Sequence, residues 1–589
     1  MLNSRSISKL MGVFGGLVFC LLLLVSPAAF PQGALGRILG IVTDQSGGYV
    51  AGATVTVTDP ARGVTQTLTT DSDGAYVAIN LIASTYTVRA ELKGFKVFER
   101  KNVQVEVGKD SRVDAVLQTG SQTETITISE DAPMMDTTST TLGGTITNQT
   151  INEIPLNGRN YQNLLTLRPG TTVYPGGGPW TQTTNGARPE DTSYILDGLS
   201  NDEAFMGFSV TNAAAVAGDA ATILPIDAIQ EFNTQVNPKA EFGWKPGAIT
   251  SVGLKSGTNS IHGSAYAFGR SDSFDARNYF HQGGTPKTPV ELTQYGATAG
   301  GRIIPDKLFW FGAFENRNYT VGNSIQVNAP TTASVGDPSV SVPDALAGLA
   351  ANGIPFSAQS LYLLGCPTSI TAPYTGCTGG AYGPNATGGK TITGGFPDVD
   401  ASKNALGKVD YHINDRHTLG GSYFFGNDNI TAEDAPELLP SYGTVIHSRA
   451  QAVATHYAYT PNTEWANDFR LGYTRYHLTI IPANVGTPYQ INTGLSPDVV
   501  ATVGGLPNVR ISGFTELGGF HNFPKLVGPD NVYDFVDQVS HLSGKHAFKF
   551  GAEYRIDKVN QGTYRGARGR PVFRAGDAFA NATALEDFL

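Results

Sequence analysis

The run KHAFKFGAEYRID, residues 545–557, alternates two kinds of position. His546, Phe548, Phe550, Ala552, Tyr554 and Ile556 share one parity, and Lys545, Lys549, Glu553, Arg555 and Asp557 the other. Successive side chains of a strand point to opposite faces, so the run predicts a strand with one apolar and one charged face. LGKVDYHIN splits the same way, with Val409, Tyr411 and Ile413 opposing Lys408, Asp410 and His412. Alternation and turn residues together predict strands near 260–270, 293–303, 307–320, 403–413, 417–427, 447–459, 464–478, 532–542 and 545–556.

A soluble sandwich and a membrane barrel both write such strands, and the connections separate the two. Those at IIPDK, HINDRH, TPNT and LSGKH are a few residues each, whereas those near 271–292, 321–402, 428–446 and 479–531 are long. Short and long connections alternate without exception, as tight turns on one rim of an outer-membrane barrel and large loops on the other require. The expectation is that Phe548, Phe550, Tyr554 and Ile556 face lipid, and that Lys549, Glu553 and Arg555 face the lumen or a body that fills it. No second apolar run of 18 residues follows the N-terminal one, so a membrane-embedded chain of this sequence spans with strands.

Composition agrees with strands and turns. The chain has 589 residues, room for several domains, with 70 Gly, 29 Phe, 24 Tyr and only 15% charged residues. A formal net charge of −10 and the absence of any Lys/Arg-rich run argue against a nucleic-acid partner. Arg5 and Lys9 precede an apolar run from Met11 to Val25 and the small residues Ser26, Pro27, Ala28 and Ala29, which predicts a secretory signal peptide over residues 1–30. Cys20 sits inside that run and not at its end, which speaks against lipoprotein processing. In an exported chain the remaining pair, Cys366 and Cys377, suggests a loop disulfide; two unpaired thiols stay open as the alternative, because spacing alone does not bring the Cα atoms together.

Residues 36–118 predict a compact β-module. The order GxVxDxxGxxVxGAxVxV (Gly40 to Val57), TDxxGxY (Thr70 to Tyr76) and YTVxAxxxGF (Tyr86 to Phe95) resembles the carboxypeptidase regulatory-like domain, a transthyretin-like sandwich, with Ser84 where that family usually has Gly. The resemblance implies no catalysis, since none of the ten histidines is followed three residues later by Glu, as a zinc carboxypeptidase site requires.

Residues 119–130 are polar and alternate Thr with Ile, and predict a linker. Within it ETITIS, from Glu124 through Thr125, Ile126, Thr127 and Ile128 to Ser129, resembles the TonB box of outer-membrane receptors, which binds the periplasmic TonB protein by strand addition; a bland linker is the competing reading. Four ordered blocks then resemble the plug domain of Oar-like TonB-dependent receptors, placing a plug over 131–258: INEIPLNGRNYQNLLTLRPG (151–170), NGARPEDTSYILDGLSND (185–202), IDAIQEFNTQVNPKAEFG (226–243) and GAITSVGLKSGTNSIHGSAYAF (247–268). Asn157, Gly158, Arg159, Asp197 and Gly198 are the plug-motif residues they supply. The second block holds a strand entering an Asp-Gly turn, and the first holds a short helix ended by Pro and Gly and another beginning near Arg159. Trp244, Lys245 and Pro246, and then Gly253 and Leu254, depart from the family's usual residues.

Residues 259–589 are then the N-terminal part of a barrel. Receptors of this kind have about 22 strands around a plugged lumen, so the nine predicted here imply a fragment or a truncated product, an expectation strengthened by an ending, NATALEDFL, without an aromatic-terminated strand.

Other chemistry is weak. GPNATGGKT (383–391) lacks the spacing of a phosphate-binding loop. His412, His417, His541 and His546 lie near the short turns without the spacing of a metal site. No acid and base pair stands out, so neither an enzyme nor a cofactor is expected. The resemblance implies a mainly β protein of the outer membrane with a periplasmic N-terminal module, importing an unknown extracellular ligand with TonB as partner. A surface adhesin or glycan-binding (carbohydrate-binding) sensor without transport is the alternative.

Overall fold

A computed structural model describes residues 36–121, 125–128, 142–154, 156–173, 182–205, 207–212, 222–237, 245–276, 287, 289–322, 325–385, 389–394, 397–432, 439–462, 464–485, 505–518, 525–543, 546–564 and 566–589. The expected signal peptide, Glu124, Ser129 and Trp244 lie outside these residues.

Two sheets make the N-terminal module. One joins β1 (Gly36–Asp44) to β4 (Ala75–Leu81), β7 (Asp110–Arg112) and β8 (Ala115–Leu117); the other runs in the order β3 (Val64–Thr69), β2 (Thr54–Asp59), β5 (Ser84–Glu91), β6 (Val97–Val105), β9 (Thr125–Ile128). Alternate residues of β1 and β2 turn inward, and Ile38, Val42, Val55, Val57, Val88 and Phe98 close the space between the sheets. The Tyr76 and Tyr86 hydroxyls stay buried by donating to the Val113 and Ile82 carbonyls.

Within the expected linker 119–130, residues 125–128 form a strand of this second sheet. Strand β9 lies parallel to β6, with Val97 opposite Thr125 and Arg100 opposite Ile128. The Thr/Ile alternation that resembles a coupling segment is also good strand sequence, and β6 offered an edge for it.

Next comes a smaller body built on a mixed sheet, β10 (Gly143–Thr147), β15 (Ile229–Gln235), β16 (Ile249–Leu254), β13 (Ser193–Leu196), β14 (Leu199–Ser200), in that spatial order. A short hairpin, β11 (Thr171–Val173) with β12 (Gln182–Thr184), accompanies it. The expected first helix runs Asn148–Glu153, capped by Thr147; the second, Tyr161–Leu167, is of the 3₁₀ type and begins after Asn160, whose side chain accepts from Gln162 N.

All nine predicted barrel strands form. β17 (His262–Ser271), β18 (Val290–Ile304), β19 (Leu308–Val321), β22 (Asp398–Asn414), β23 (His417–Ala432), β24 (Thr444–Tyr459), β25 (Trp465–Pro482), β27 (Lys525–Ser543) and β28 (His546–Lys558) pair in chain order, every neighbour antiparallel. Phe548, Phe550 and Tyr554 are 51%, 51% and 66% exposed, while Ile556 is half-buried. Val409 and Ile413 are exposed and Lys408 and Asp410 buried, so the charged parity faces inward. Inside, Ala450, Ala452, Ala454 and Ala458 keep one wall low, and Phe232, Leu224 and Ile229 of the smaller body share an apolar core with Ala450, Ala452, Phe311 and Phe424 of the large sheet.

The long connections carry their own core. Helices Val342–Ala351, Ala358–Leu363 and Ala584–Phe588 pack Leu346, Leu349, Leu361 and Leu585 with Tyr382 and Leu506. The pairs β20 (Ile325–Asn328) with β21 (Thr391–Gly394) and β26 (Arg510–Ile511) with β30 (Val572–Phe573) belong to the same region, and β29 (Gln561–Thr563) extends β27. Cys366 and Cys377 are joined here, their Cα atoms 4.0 Å apart.

Candidate functional site: two seams around the inner sheet

The residues singled out in the smaller body converge on its boundary with the large sheet. In the turn between β13 and β14, Asp197 and Gly198 both have positive φ, 49° and 90°, the geometry an Asp-Gly hairpin turn needs. The turn aims Asp197 at the wall, where Lys408 Nζ donates to its Oδ1 at 2.7 Å with both side chains buried. The neighbouring Gly198 carbonyl accepts from Arg470, itself paired with Asp468. Ser200 N donates to Asp534, its carbonyl accepts from Thr474, and its hydroxyl accepts from Arg555. Four strands of the wall thus grip one hairpin.

Arg159 meets a different part of the wall. Gly158 and Arg159 take φ of 72° and 51°, and the Arg159 guanidinium pairs with Asp227 while lying 4.6 Å from the ring centroids of both Tyr266 and Phe268. Tyr266 donates to Glu315, which closes that contact. Asn157 heads the same turn. The plug-motif residues are therefore not one cluster but two anchors. Charged and hydrogen-bonded contacts that can exchange for water thus flank apolar packing in this seam, where Leu199 of the hairpin meets Ala454 and Val536 of the wall.

Sequence reasoning missed a second seam, where the N-terminal module meets both the inner sheet and the short-turn rim. At the rim, Arg62 pairs with Asp59 and donates from Nε to the Gly257 carbonyl at 3.0 Å. Asn259 joins the Ala61 and Arg62 backbone to Asp306. Gly63 has φ of 67°, and a Cβ there would sit 2.3 Å from Asp306 Oδ1, so a side chain at this position would be strained and would displace Asp306. At the inner sheet, Val107 N donates to the Glu231 carboxylate, Asn233 donates to the Val107 carbonyl, and Thr145 donates to Glu106. Burial pushes the Glu231 carboxyl up to about 7, against the lowering effect of the Val107 N–H.

One sequence signal pointed here. Gly253 departs from the family's Val-rich run, and a Cβ at that position would lie 2.5 Å from Val107 Cγ2. Lys245, another departure, is half-buried and pairs with buried Asp202, donating also to the Thr192 and Gly207 carbonyls. Burial raises the Asp202 carboxyl, which Lys245 partly offsets.

Of the coupling-segment residues, Thr125 and Thr127 are exposed and Ile126 is half-buried on β9. Thr127 donates to Glu99 at 3.3 Å. The outer edge of β9 has no strand partner among the described residues. His417 donates to or accepts from Tyr457, and His541 stacks on Trp465 with ring centroids 4.0 Å apart, so both are part of the aromatic packing at the rim. Among the described residues no group of three or more His, Cys, Asp and Glu is placed to hold a metal ion.

Residues 253–589 match the outer membrane beta barrel domain family, and residues 37–118 the carboxypeptidase regulatory-like domain. The TonB-dependent transporter Oar of Myxococcus xanthus is 30% identical over 363 residues, 59% of this chain and 32% of that protein. The chain thus spans well under half the length of this curated relative. Among solved structures, the outer membrane transporter YddB from Escherichia coli aligns with a TM-score of 0.44 and 11% identity, covering 71% of this chain and 48% of that one. The siderophore receptor PirA from Acinetobacter baumannii aligns with 0.40 and 13%, covering 71% and 48%.

Proposed function

Because the chain belongs to the outer membrane beta barrel domain family, with an Oar-like TonB-dependent receptor as its relative, we propose that it serves ligand import across an outer membrane, driven by TonB. On this reading residues 131–258 are the plug and 259–589 the barrel wall, with the long loops outside the cell and the module in the periplasm after removal of residues 1–30. The observation that carries it is the seam at Asp197 and Gly198: a body that fills the inner face of the strand wall, oriented by buried polar pairs beside the apolar core the two share. Such a body blocks a pore at rest and can be displaced without unfolding the wall.

The coupling segment is 124–129. Its described part already lies as an edge strand with exposed threonines, the form in which a partner strand is added through backbone hydrogen bonds. A ligand would enter from the loop region stapled by Cys366 and Cys377.

The test is site-directed cross-linking in cells from Thr125→Cys and Thr127→Cys to TonB. The expected result is a cross-link to TonB that Ile126→Pro abolishes, since proline removes a backbone donor and breaks the extended pairing. An outer-membrane protein with no such cross-link at either position would favour the adhesin or sensor reading instead.

A further inference from the structure

Val107 is 4% exposed, yet it does not belong to the packed core of its own module. Its burial comes from the inner sheet, where the missing Cβ of Gly253 leaves a notch that its Cγ2 fills, and where Glu231 and Asn233 take its N–H and carbonyl. A valine seated in a glycine notch, with both backbone polar groups satisfied by the partner, is a built contact rather than a chance touch.

Val107 also stands at a particular place in the chain. It follows β6 by two residues, and β6 is the strand that holds β9 in a four-residue parallel ladder. Two routes therefore lead from β9 to the inner sheet. The covalent one runs through residues 129–142 to β10, an edge strand of that sheet. The other runs through β6 to Val107 and reaches β15 and β16, which lie inside the sheet.

We propose that the N-terminal sandwich is a relay: it clasps the coupling strand β9 on its own sheet and, through Val107 in the Gly253 notch, delivers a pull on β9 to the interior strands of the inner sheet. The proposal rests on the reading of β9 as the segment TonB pulls, and it gives the module a mechanical task in that reading. The clasp bears load first, and the chain between β9 and β10 is drawn out only after the clasp or the key gives way.

The experiment is single-molecule pulling on the full chain in a supported membrane, with the handle at Thr125→Cys and the wall held at its long-loop rim. Neither cargo nor TonB is needed. The relay predicts a resisted first rupture, followed by extension of the roughly 18 residues from the handle to β10, about 60 Å of chain. In Val107→Asp, which sets a carboxylate against Glu231, the first rupture comes at lower force, since the module is then held to the rest of the protein chiefly by its rim contacts. If Val107→Asp fails to reach the membrane, Val107→Ala and Gly253→Ala approach the key from its two sides, and each lowers the first rupture force. A first rupture unchanged in these variants, or absent from the parent, overturns the relay. A clear rupture together with no TonB cross-link in cells would instead sink the coupling reading while leaving the clasp in place, so the two failures are distinguishable.

Discussion

Lys408 and Asp197 are buried as a pair, and removing one leaves the other charge without its partner. Breaking such a pair costs about 3–5 kcal/mol. Lys408→Ala is therefore expected to loosen the inner body by that order while the strand wall stays intact. Limited proteolysis should show cleavage within 142–254 before the wall is cut; equal resistance in mutant and parent would mean the pair does not hold the body. Lys408→Met with Asp197→Asn, which removes both charges and keeps at 197 a residue that tolerates the positive φ, should restore part of the loss. Glu231 gives a pH dependence. Its carboxyl is raised to about 7 where the module docks, so the docked state holds the proton more tightly than a solvated carboxylate does. Docking is then fully favoured at pH below the ordinary carboxylate range and weakens as pH rises through about 7. Glu106 beside it pushes the same way and Lys109 opposes. Hydrogen exchange at the Val107 amide, corrected for its intrinsic rate, should slow relative to other module amides between pH 8 and pH 6; a flat ratio would assign the burial of Glu231 to the inner sheet alone.

Among the elements, the wall strands were legible because a two-residue period is local: each Phe or Tyr of β28 announces its face by parity with its neighbours. The same reasoning placed Lys408 and Asp410 inward before any partner was visible. The extended form of residues 125–128 was legible, but their pairing with β6, about 28 residues away, was not, because nothing in a Thr/Ile run names the edge it will join. The docking surfaces were hidden for a similar reason. Arg62, Gly63 and Val107 look like ordinary turn residues until the rim and the inner sheet are brought to them, and only Gly253, a glycine where bulk was expected, hinted at the contact. A lipid-facing assignment makes its own prediction. Leu471 is exposed in the middle part of β25, and Leu471→Arg should destabilise the wall in a bilayer by about 2–4 kcal/mol if it lies near the midplane. A cost of a few tenths, measured by reversible unfolding in lipid vesicles, would mean that this face meets water.

At the scale of the whole molecule the three bodies form a stack: a sandwich seated on the short-turn rim, an inner sheet within the concave wall, and a disulfide-stapled loop region at the other rim. The order follows from the chain itself, since module, inner body and wall occur in that sequence and the inner body passes to β17 directly through residues 255–261. What this stack should do in a cell depends on which rim faces out. Labelling with a membrane-impermeant maleimide tests that most directly, using Val335→Cys in the loop region and Lys93→Cys on the module, both exposed positions, in a chain whose Cys366 and Cys377 are already bonded. The expected result is that the protein fractionates with the outer membrane, that Val335→Cys labels in intact cells, and that Lys93→Cys labels only once the outer membrane is permeabilised. Labelling of Lys93→Cys in intact cells, or of neither position until permeabilisation, would contradict it.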